Sequence, residues 1–458
     1  MPPDALRAAV AALTADEIAE QRWFGSKGSE LGPIALAGAV GPFAETEWLV
    51  ALEVGGDTYL VPAEIGSGRV EEAQGPLWRT LAELCCEGGA LAGTGMEIRG
   101  TAGPMRPPRV ADRVRPLGID QSNTSVVLGE RLVLKCYRRL TAGEHPEIEV
   151  VRYLADHGLA CLPPVYGSAD IRIRDAPSAG ALLLQEYIAD GKDGWLAAED
   201  ELRELLEADD VDAAAAAPAR WAPAIGEATA EVHALLAAAR APGFTPRRAT
   251  STDLTELRVQ AEAQLDRALA LLDDPARATL AGAAEALRTR FALFESVEPP
   301  LFTRVHGDLH LGQFLHRDAA PPALVDFEGE PTREAAERRR HASPLRDLAS
   351  LLRSVDHAAH WVSHTCGRET GPVATAWIDA ARHSIRSAYE HRLGELRTPL
   401  AVDPQLLAAF EADKAVGEFV YAARYLPSWL EVPRRALASA VTRPVNSLGA
   451  VAGRPAPR

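Results

Sequence analysis

Residues 304–331 read RVHGDLHLGQFLHRDAAPPALVDFEGEP, the pattern of a short strand, a turn, a polar loop and a second short strand that ends in acid. Asp308 lies in the turn, Gln313 follows five residues later, and Asp326 comes directly after Leu324-Val325. Phosphoryl transfer needs a carboxylate that orients and deprotonates a hydroxyl, and oxygen donors that hold Mg²⁺ against nucleotide phosphates. This spacing therefore indicates a phosphoryl-transfer centre, with Asp308 as the base and Gln313 and Asp326 on the metal.

The segment from 114 to 135 contains residues suited to binding the phosphates of a nucleotide. Lys135 ends the second strand of a predicted hairpin, where protein kinases carry the lysine that contacts the α- and β-phosphates. Protein kinases also place Asp and then Asn in the catalytic loop, and Gln313 stands where that pattern has Asn. The turn before the hairpin would cover the triphosphate with hydroxyls, an amide and backbone N–H groups. The turn residues that we assign to phosphate binding are Ser122, Asn123, Thr124 and Ser125.

Two further segments complete the predicted nucleotide site. The helix HPEIEVVRYLADHG carries Glu149, fourteen residues after Lys135, and we predict that these two form the ion pair that holds the lysine in place. Glu147 is the competitor, on the other face of the same helix. The apolar strand ALLLQEYI leads into a hinge whose backbone would bind adenine. The hinge residues are Gln185, Glu186 and Ile188.

Composition limits the class of protein. The chain has 458 residues, 47% hydrophobic and 24% charged, which is ordinary for a globular protein of two or three domains. Its formal net charge of −16 argues against a nucleic-acid partner and against an anionic membrane surface. No apolar run reaches the roughly 20 residues of a membrane span. The cysteines lack metal-ligand spacing, so free thiols in a reducing, cytoplasmic setting are expected.

The order of predicted elements divides the chain into three parts. Residues 1–110 form a small α+β cap subdomain that contains a hairpin over 47–65. Residues 111–190 are rich in strands and carry the nucleotide-binding part and the hinge. Residues 191–458 are mainly helical, with the 304–331 centre among predicted helices such as 343–362 and 404–424.

The motifs QSNTS, HGDLHLGQ, DFEGEP and SPLRDLA, in this order, resemble the maltokinases and their actinobacterial glucosamine-kinase relatives. The resemblance covers nearly the whole chain, from RWFGSKG near the N-terminus to a C-terminal helix that reads DKAVGEFVYAARYLPSWLEVP. These enzymes belong to the aminoglycoside-phosphotransferase-like group. The resemblance implies an α+β, bilobal, protein-kinase-like fold with an N-terminal cap, a β-rich N-lobe and a mainly helical C-lobe. It also implies the residue roles assigned above.

The last long helix departs from the maltokinase pattern. Maltokinases usually show Tyr-Glu followed by Tyr-Glu-Ala-Arg, whereas this chain has Gly417-Glu418 and then Tyr421-Ala422-Ala423-Arg424. The loss of one tyrosine and one glutamate resembles the glucosamine-kinase branch more. A carboxylate is a sensible partner for a protonated amine. The residues that we expect to contact the acceptor are Asp308, His310, Asp413, Glu418, Tyr421, Arg424 and Trp429.

The sequence therefore predicts an ATP- and Mg²⁺-dependent sugar kinase, a monomer or weak homodimer, that phosphorylates glucosamine at O6. Maltose phosphorylated at its anomeric hydroxyl is the alternative acceptor, and an aminoglycoside or a protein acceptor is a third possibility. A non-catalytic kinase-fold binding module is disfavoured, because Lys135, Asp308, Gln313 and Asp326 are all present together.

Overall fold

The computed structural model describes residues 3–14, 17–18, 24, 33–43, 45–66, 69–72, 75–111, 113–118, 123–189, 191–317, 320–330 and 333–445. The chain divides into two compact units, Met1–Asp190 and Gly191–Arg458. Ser122 of the predicted phosphate loop lies outside the described residues, as does the RWFGSKG segment except for Phe24.

The first unit is rich in antiparallel sheet. Its strands are β1 Ala35–Phe43, β2 Glu47–Val54, β3 Asp57–Gly66, β4 Arg69–Glu72, β5 Gly89–Ala92, β6 Met96–Ala102, β7 Val114–Pro116, β8 Thr124–Leu128, β9 Leu132–Cys136, β10 Arg139–Leu140, β11 Val165–Ile173 and β12 Ala179–Glu186. Its helices are α1 Pro3–Ala11, α2 Pro76–Glu87 and α3 Pro146–Asp156. One sheet runs β1-β2-β3-β10 with β4 beside β3, and the other runs β5-β6-β11-β12-β9-β8-β7.

The core of this unit follows from the apolar periodicity of its elements. The predicted hairpin over 47–65 is confirmed, because β2 pairs with β3 across the tight Gly55-Gly56 connection, where both glycines have positive φ. Helix α2 buries Leu77, Trp78 and Leu81 in a cluster that also contains apolar side chains of both sheets. Strands on both sides of residue 110 share the larger sheet, since β6 pairs with β11. A separate cap subdomain ending at 110 stays a prediction.

The second unit is mainly helical. Its helices are α4 Gly194–Ala208, α5 Val211–Ala216, α6 Ala222–Ala237, α7 Ser251–Leu271, α8 Asp274–Phe291, α9 Ala335–Arg338, α10 Leu345–Thr365, α11 Pro372–Glu395, α12 Pro404–Tyr425 and α13 Glu431–Thr442. Two short antiparallel sheets pair β13 Arg247–Arg248 with β14 Leu301–Phe302, and β15 Phe314–Leu315 with β16 Ala323–Leu324.

Helix α10 is the central element of this unit. It packs against α4, α11, α12 and α13, and for that reason most of its side chains are buried, polar ones included. Its N-terminal turn carries Asp347 and its middle carries Arg353, which are each 1% exposed. A buried charge must be paired or hydrogen-bonded. Asp347 and Arg353 accordingly form hydrogen bonds with other segments of the chain. None of the described helices combines the length and the apolar composition that a bilayer crossing requires.

Candidate active site

The backbone of the loop around Asp308 is hydrogen-bonded to a buried carboxylate. Asp347 accepts hydrogen bonds from the backbone N–H of His306 at 2.7 Å and of Gly307 at 2.9 Å. Its Oδ2 also lies 3.2 Å from Nε2 of His233, whose Nδ1 lies 2.9 Å from the Tyr389 hydroxyl. Asp347 therefore bonds directly to the backbone of the loop that carries Asp308. The backbone just before Asp308 therefore has a defined position.

The surroundings of Asp347 favour its ionised form. Burial raises the pKa of this carboxyl, but the hydrogen bond and charge of His233, the charge of His306 and the Gly307 N–H lower it, and the net pKa is lowered. Ionised Asp347 is therefore a stabilising part of the folded protein at neutral pH.

We expect Asp347→Asn to lower the free energy of unfolding by about 2–4 kcal/mol, because charged hydrogen bonds to buried partners are lost. Since the folded-state pKa lies below the unfolded value, the contribution of Asp347 is present at neutral pH and is lost as the pH falls below about 4. Urea unfolding at pH 7 and at pH 3.5 measures both effects. The exposed Asp266, changed to Asn, is the matched control. Equal unfolding free energies of wild type and Asp347→Asn at pH 7 would contradict this assignment.

The two segments of the catalytic centre are tied to each other by backbone and side-chain bonds. Strand β15 pairs with β16, the N–H of Val325 donates to the Gln313 carbonyl at 3.0 Å, and His306 Nε2 donates to the Val325 carbonyl at 2.9 Å. Asp326 follows in a left-handed conformation with φ of 66°. The structure therefore brings together Gln313 and Asp326, which are thirteen residues apart in sequence.

The contacts of Gln313 decide which way its amide faces. Its Nε2 lies 3.1 Å from His310 Nε2 and donates a hydrogen bond to Asp326 Oδ2 at 3.2 Å. His310 Nδ1 accepts the Gly312 N–H, and burial lowers the pKa of His310, so the neutral ring carries its proton on Nε2. Two nitrogen donors would oppose each other at this contact, and rotation of the amide by 180° would instead place Gln313 Oε1 on the His310 N–H.

This arrangement fits Mg²⁺. Because the Gln313 amide and the Asp326 carboxylate are in contact, rotation of the amide would bring Oε1 within reach of the same cation as Asp326 Oδ2. Amide and carboxylate oxygens are the hard donors that Mg²⁺ prefers. His310 supports the amide, and both of its ring nitrogens are engaged within the loop. Its predicted contact with an acceptor stays a prediction.

A lysine that the sequence analysis missed contacts the predicted base. Lys414 Nζ lies 3.2 Å from Asp308 Oδ1, and the two side chains are 28% and 26% exposed. Burial lowers the pKa of Lys414, but Asp308, Glu418 and Glu330 raise it, and the net pKa is raised, so the side chain is an ammonium. The sequence offered one signal for Lys414, because lysine is rare in this chain. The lysines of this chain are Lys27, Lys135, Lys192 and Lys414.

Glu418 lies one helical turn after Lys414 and is anchored from the core. Arg353 Nε donates to Glu418 Oε2 at 2.6 Å, and His357 Nε2 lies 3.3 Å from the same oxygen without the alignment of a hydrogen bond. Burial raises the pKa of Glu418, but the positive charges of Arg353, His357 and Lys414 lower it by more. The pKa of Glu418 therefore lies below its usual value. The second oxygen, Oε1, has no hydrogen-bond partner among the described residues. Glu418 is thus an ionised carboxylate with one oxygen held and one available.

Asp413 occupies a different surface of helix α12. It lines a cleft of about 670 Å³ together with Gly307 and Glu330, so the cleft reaches the catalytic loop. Burial raises the pKa of the Asp413 carboxyl, against the lowering effect of Arg346 and other cations. The structure therefore separates Asp413, on the cleft, from Lys414, which contacts the base.

The remaining predicted acceptor residues lie near the end of α12. Tyr421 is 51% exposed and its ring centroid lies 5.2 Å from that of Tyr425, while the Arg424 guanidinium lies over the Tyr425 ring. Trp429 packs against Trp361, with ring centroids 4.4 Å apart. Their contact with an acceptor stays a prediction.

In the first unit, the partner of Lys135 differs from the predicted one. Lys135 Nζ lies 2.8 Å from Glu147 Oε2, which also accepts a hydrogen bond from the Tyr137 hydroxyl at 2.7 Å. The predicted ion pair with Glu149 is therefore corrected to one with Glu147, the competitor. The cause is the phase of helix α3, which begins at Pro146 directly after its N-cap His145 and thereby turns the first glutamate toward β9.

The predicted phosphate and adenine segments lie on β8 and β12 of the larger sheet, on either side of β9. Thr124 and Ser125 open β8, opposite Cys136 and Lys135 of β9, and Asn123 precedes them. Gln185 and Glu186 end β12, and the backbone N–H groups of Glu186 and Tyr187 donate to Pro164 and Arg131. The N–H of Ile188 has no hydrogen-bond partner in the part of the chain that the structure describes, and its contact with adenine stays a prediction.

Comparison with known proteins agrees with this geometry. A family model described as Phosphotransferase enzyme family matches residues 113–396. The glucosamine kinase of Mycolicibacterium smegmatis is 31% identical over 333 residues, 70% of this chain and 78% of the relative. The glucosamine kinase of Streptacidiphilus jiangxiensis is 32% identical over 326 residues, 70% of this chain and 71% of the relative.

A solved structure is similar over almost the whole chain. It is a glucosamine kinase in complex with glucosamine, ADP and inorganic phosphate, with a TM-score of 0.72, 25% identity, and coverage of 94% of this chain and 98% of the other. A second crystal form of a glucosamine kinase has a TM-score of 0.75 at the same identity and coverage.

Proposed function

We propose, from the premise that this chain belongs to the phosphotransferase enzyme family and to the glucosamine kinases within it, that it transfers the γ-phosphate of ATP to the 6-hydroxyl of glucosamine. It is an ATP-dependent kinase that acts on a hydroxyl group. Its fold is the α+β, protein-kinase-like fold of this family, with a sheet-rich N-terminal unit and a helical C-terminal unit.

One observation carries the proposal: Asp308 stands on a loop whose backbone is held by Asp347, and the same loop continues to Gln313, which is hydrogen-bonded to Asp326. Asp308 orients the attacking hydroxyl and accepts its proton. Gln313 and Asp326 are the residues that would hold Mg²⁺, which when bound neutralises charge on the phosphate oxygens. Lys135, held by Glu147, is the cation for the α- and β-phosphates. The main contribution of the protein to this reaction is to position the acceptor hydroxyl and the phosphates.

Glucosamine suits the charge of the acceptor-side residues. Its protonated amine calls for a carboxylate, and Glu418 offers Oε1 while Arg353 holds Oε2. An anchored carboxylate loses little conformational freedom when a cation binds, which favours affinity. The known relatives named glucosamine kinase support the same acceptor.

The test is ADP release by the wild type with glucosamine, glucose, maltose and kanamycin at equal concentrations. We expect the highest kcat/KM with glucosamine and a lower value with glucose, since glucose lacks the amine that Glu418 would bind. The product is identified by its phosphorus coupling to the C6 protons. A preference for maltose, with phosphate on the anomeric carbon, would overturn the acceptor assignment but leave the kinase assignment standing. A cytoplasmic location, no nucleic-acid or membrane partner, and a monomer or weak homodimer complete the proposal.

A further inference from the structure

The Asp308 carboxylate needs an orientation as well as a position. Bonds from Asp347 fix the backbone of the two preceding residues, and the Asp308 N–H donates to His306 Nδ1 at 3.4 Å. These contacts leave the carboxylate free to rotate about its side-chain torsions. The stretch HGDLHLGQ contains no lysine or arginine that could hold it.

The hydrogen bond that does reach this carboxylate comes from another part of the chain. Lys414, 106 residues away on α12, approaches Oδ1, while Oδ2 has no partner within the described part of the chain. A carboxylate that is bonded through one oxygen presents the other in a defined direction. That second oxygen is the one able to take a proton from an acceptor hydroxyl.

Lys414 is itself held between charges. Glu418, one turn further along α12, and Glu330, after the DFE segment, both favour its ammonium form. Glu418 is anchored by Arg353, which is 1% exposed. Charges thus alternate from the core to the base: Arg353, Glu418, Lys414, Asp308. The base is connected to the central helix α10 through Lys414 as well as through Asp347.

We propose that Lys414 is the positioning residue of the catalytic base, which turns Oδ2 of Asp308 toward the acceptor hydroxyl. This inference rests on the proposed function only in so far as Asp308 is a base for phosphoryl transfer. A half-exposed ion pair could also be a surface contact without consequence, worth little to stability or function. The two possibilities differ in kinetics.

The experiment compares Lys414→Met, which keeps the length and removes the charge, with Lys414→Arg, which keeps the charge. The matched control is Lys192→Met, which breaks the exposed ion pair with Asp200. We expect kcat of Lys414→Met to fall on the order of tenfold to a hundredfold, as for other misplaced catalytic groups, with KM for ATP within about twofold of wild type. Lys414→Arg should restore most of kcat, and Lys192→Met should equal wild type.

A second measurement separates positioning from an effect on folding. In an Asp308→Asn background, Lys414→Met should cause no further loss, because a residue that acts through Asp308 has nothing left to position. A wild-type kcat in Lys414→Met, an increase of kcat, or full additivity with Asp308→Asn would each overturn the inference. The kinetics use whichever acceptor the wild type turns over. If glucosamine is not that acceptor, the proposed substrate fails while the role of Lys414 is still decided.

Discussion

Asp308→Asn is expected to lower kcat by about 10³–10⁴-fold, the upper part of the range for removing a general base. Asparagine keeps the size of the side chain and can still be contacted by the acceptor hydroxyl, but it cannot accept the proton. Its hydrogen bond with Lys414 loses the charge of one partner, so some loss of orientation adds to the loss of basicity. Binding of ADP and of glucosamine should change little, because neither depends on proton transfer.

The measurement is steady-state ADP release together with calorimetric titration of ADP. Asp200→Asn is the control, since the Asp200 side chain is exposed and is paired with Lys192. Unchanged turnover in Asp308→Asn with the correct acceptor would remove Asp308 from the role of base. A loss of ADP binding would instead point to a folding defect.

The second large effect is expected for Asp326→Ala. The proposed carboxylate ligand of the metal is lost, and with it several kcal/mol of transition-state stabilisation, on the order of 10²–10⁴-fold in kcat/KM. The cause is a weaker hold on Mg²⁺, so the Mg²⁺ concentration that gives half-maximal activity should rise. Gln313→Ala should show the same direction with a smaller effect, because a neutral amide binds a cation less strongly than a carboxylate.

ADP titrations with and without Mg²⁺ check this prediction apart from turnover. The wild type should bind ADP more tightly with Mg²⁺, and Asp326→Ala should lose most of that difference. If Asp326→Ala kept the full Mg²⁺ effect on ADP binding, the metal assignment of Asp326 would be wrong, whatever its activity.

The contact between Gln313 and Asp326 could be predicted from sequence because it is local. Asp308, Gln313 and Asp326 lie within nineteen residues, and a turn followed by a short hairpin leaves few ways to arrange them. The long amphipathic helices could be predicted for a similar reason, since apolar residues recur with the helical period in α10 and α12. Local patterns are what a single sequence records best.

The contacts that were missed or misassigned depend on information that is not local. Lys414 reaches Asp308 only because α12 returns to the loop after 106 residues, and no spacing rule predicts that. Glu147 and Glu149 lie about 200° apart around a helix, so the choice between them required the helix phase, which the capping residue His145 sets. Both glutamates are candidates from the sequence, and the prediction of Glu149 as the partner of Lys135 was wrong.

The backbone at Asp326 has one more consequence. A left-handed φ of 66° is strained for a residue with a side chain, by about 1 kcal/mol, and glycine would relieve it. At this position the residue that chemistry requires and the residue that the backbone prefers are different. Selection for thermal stability alone would therefore favour glycine at position 326, and the protein would lose the carboxylate that we propose binds the metal. The metal-binding role that we propose for Asp326 accounts for an aspartate, rather than a glycine, at this position.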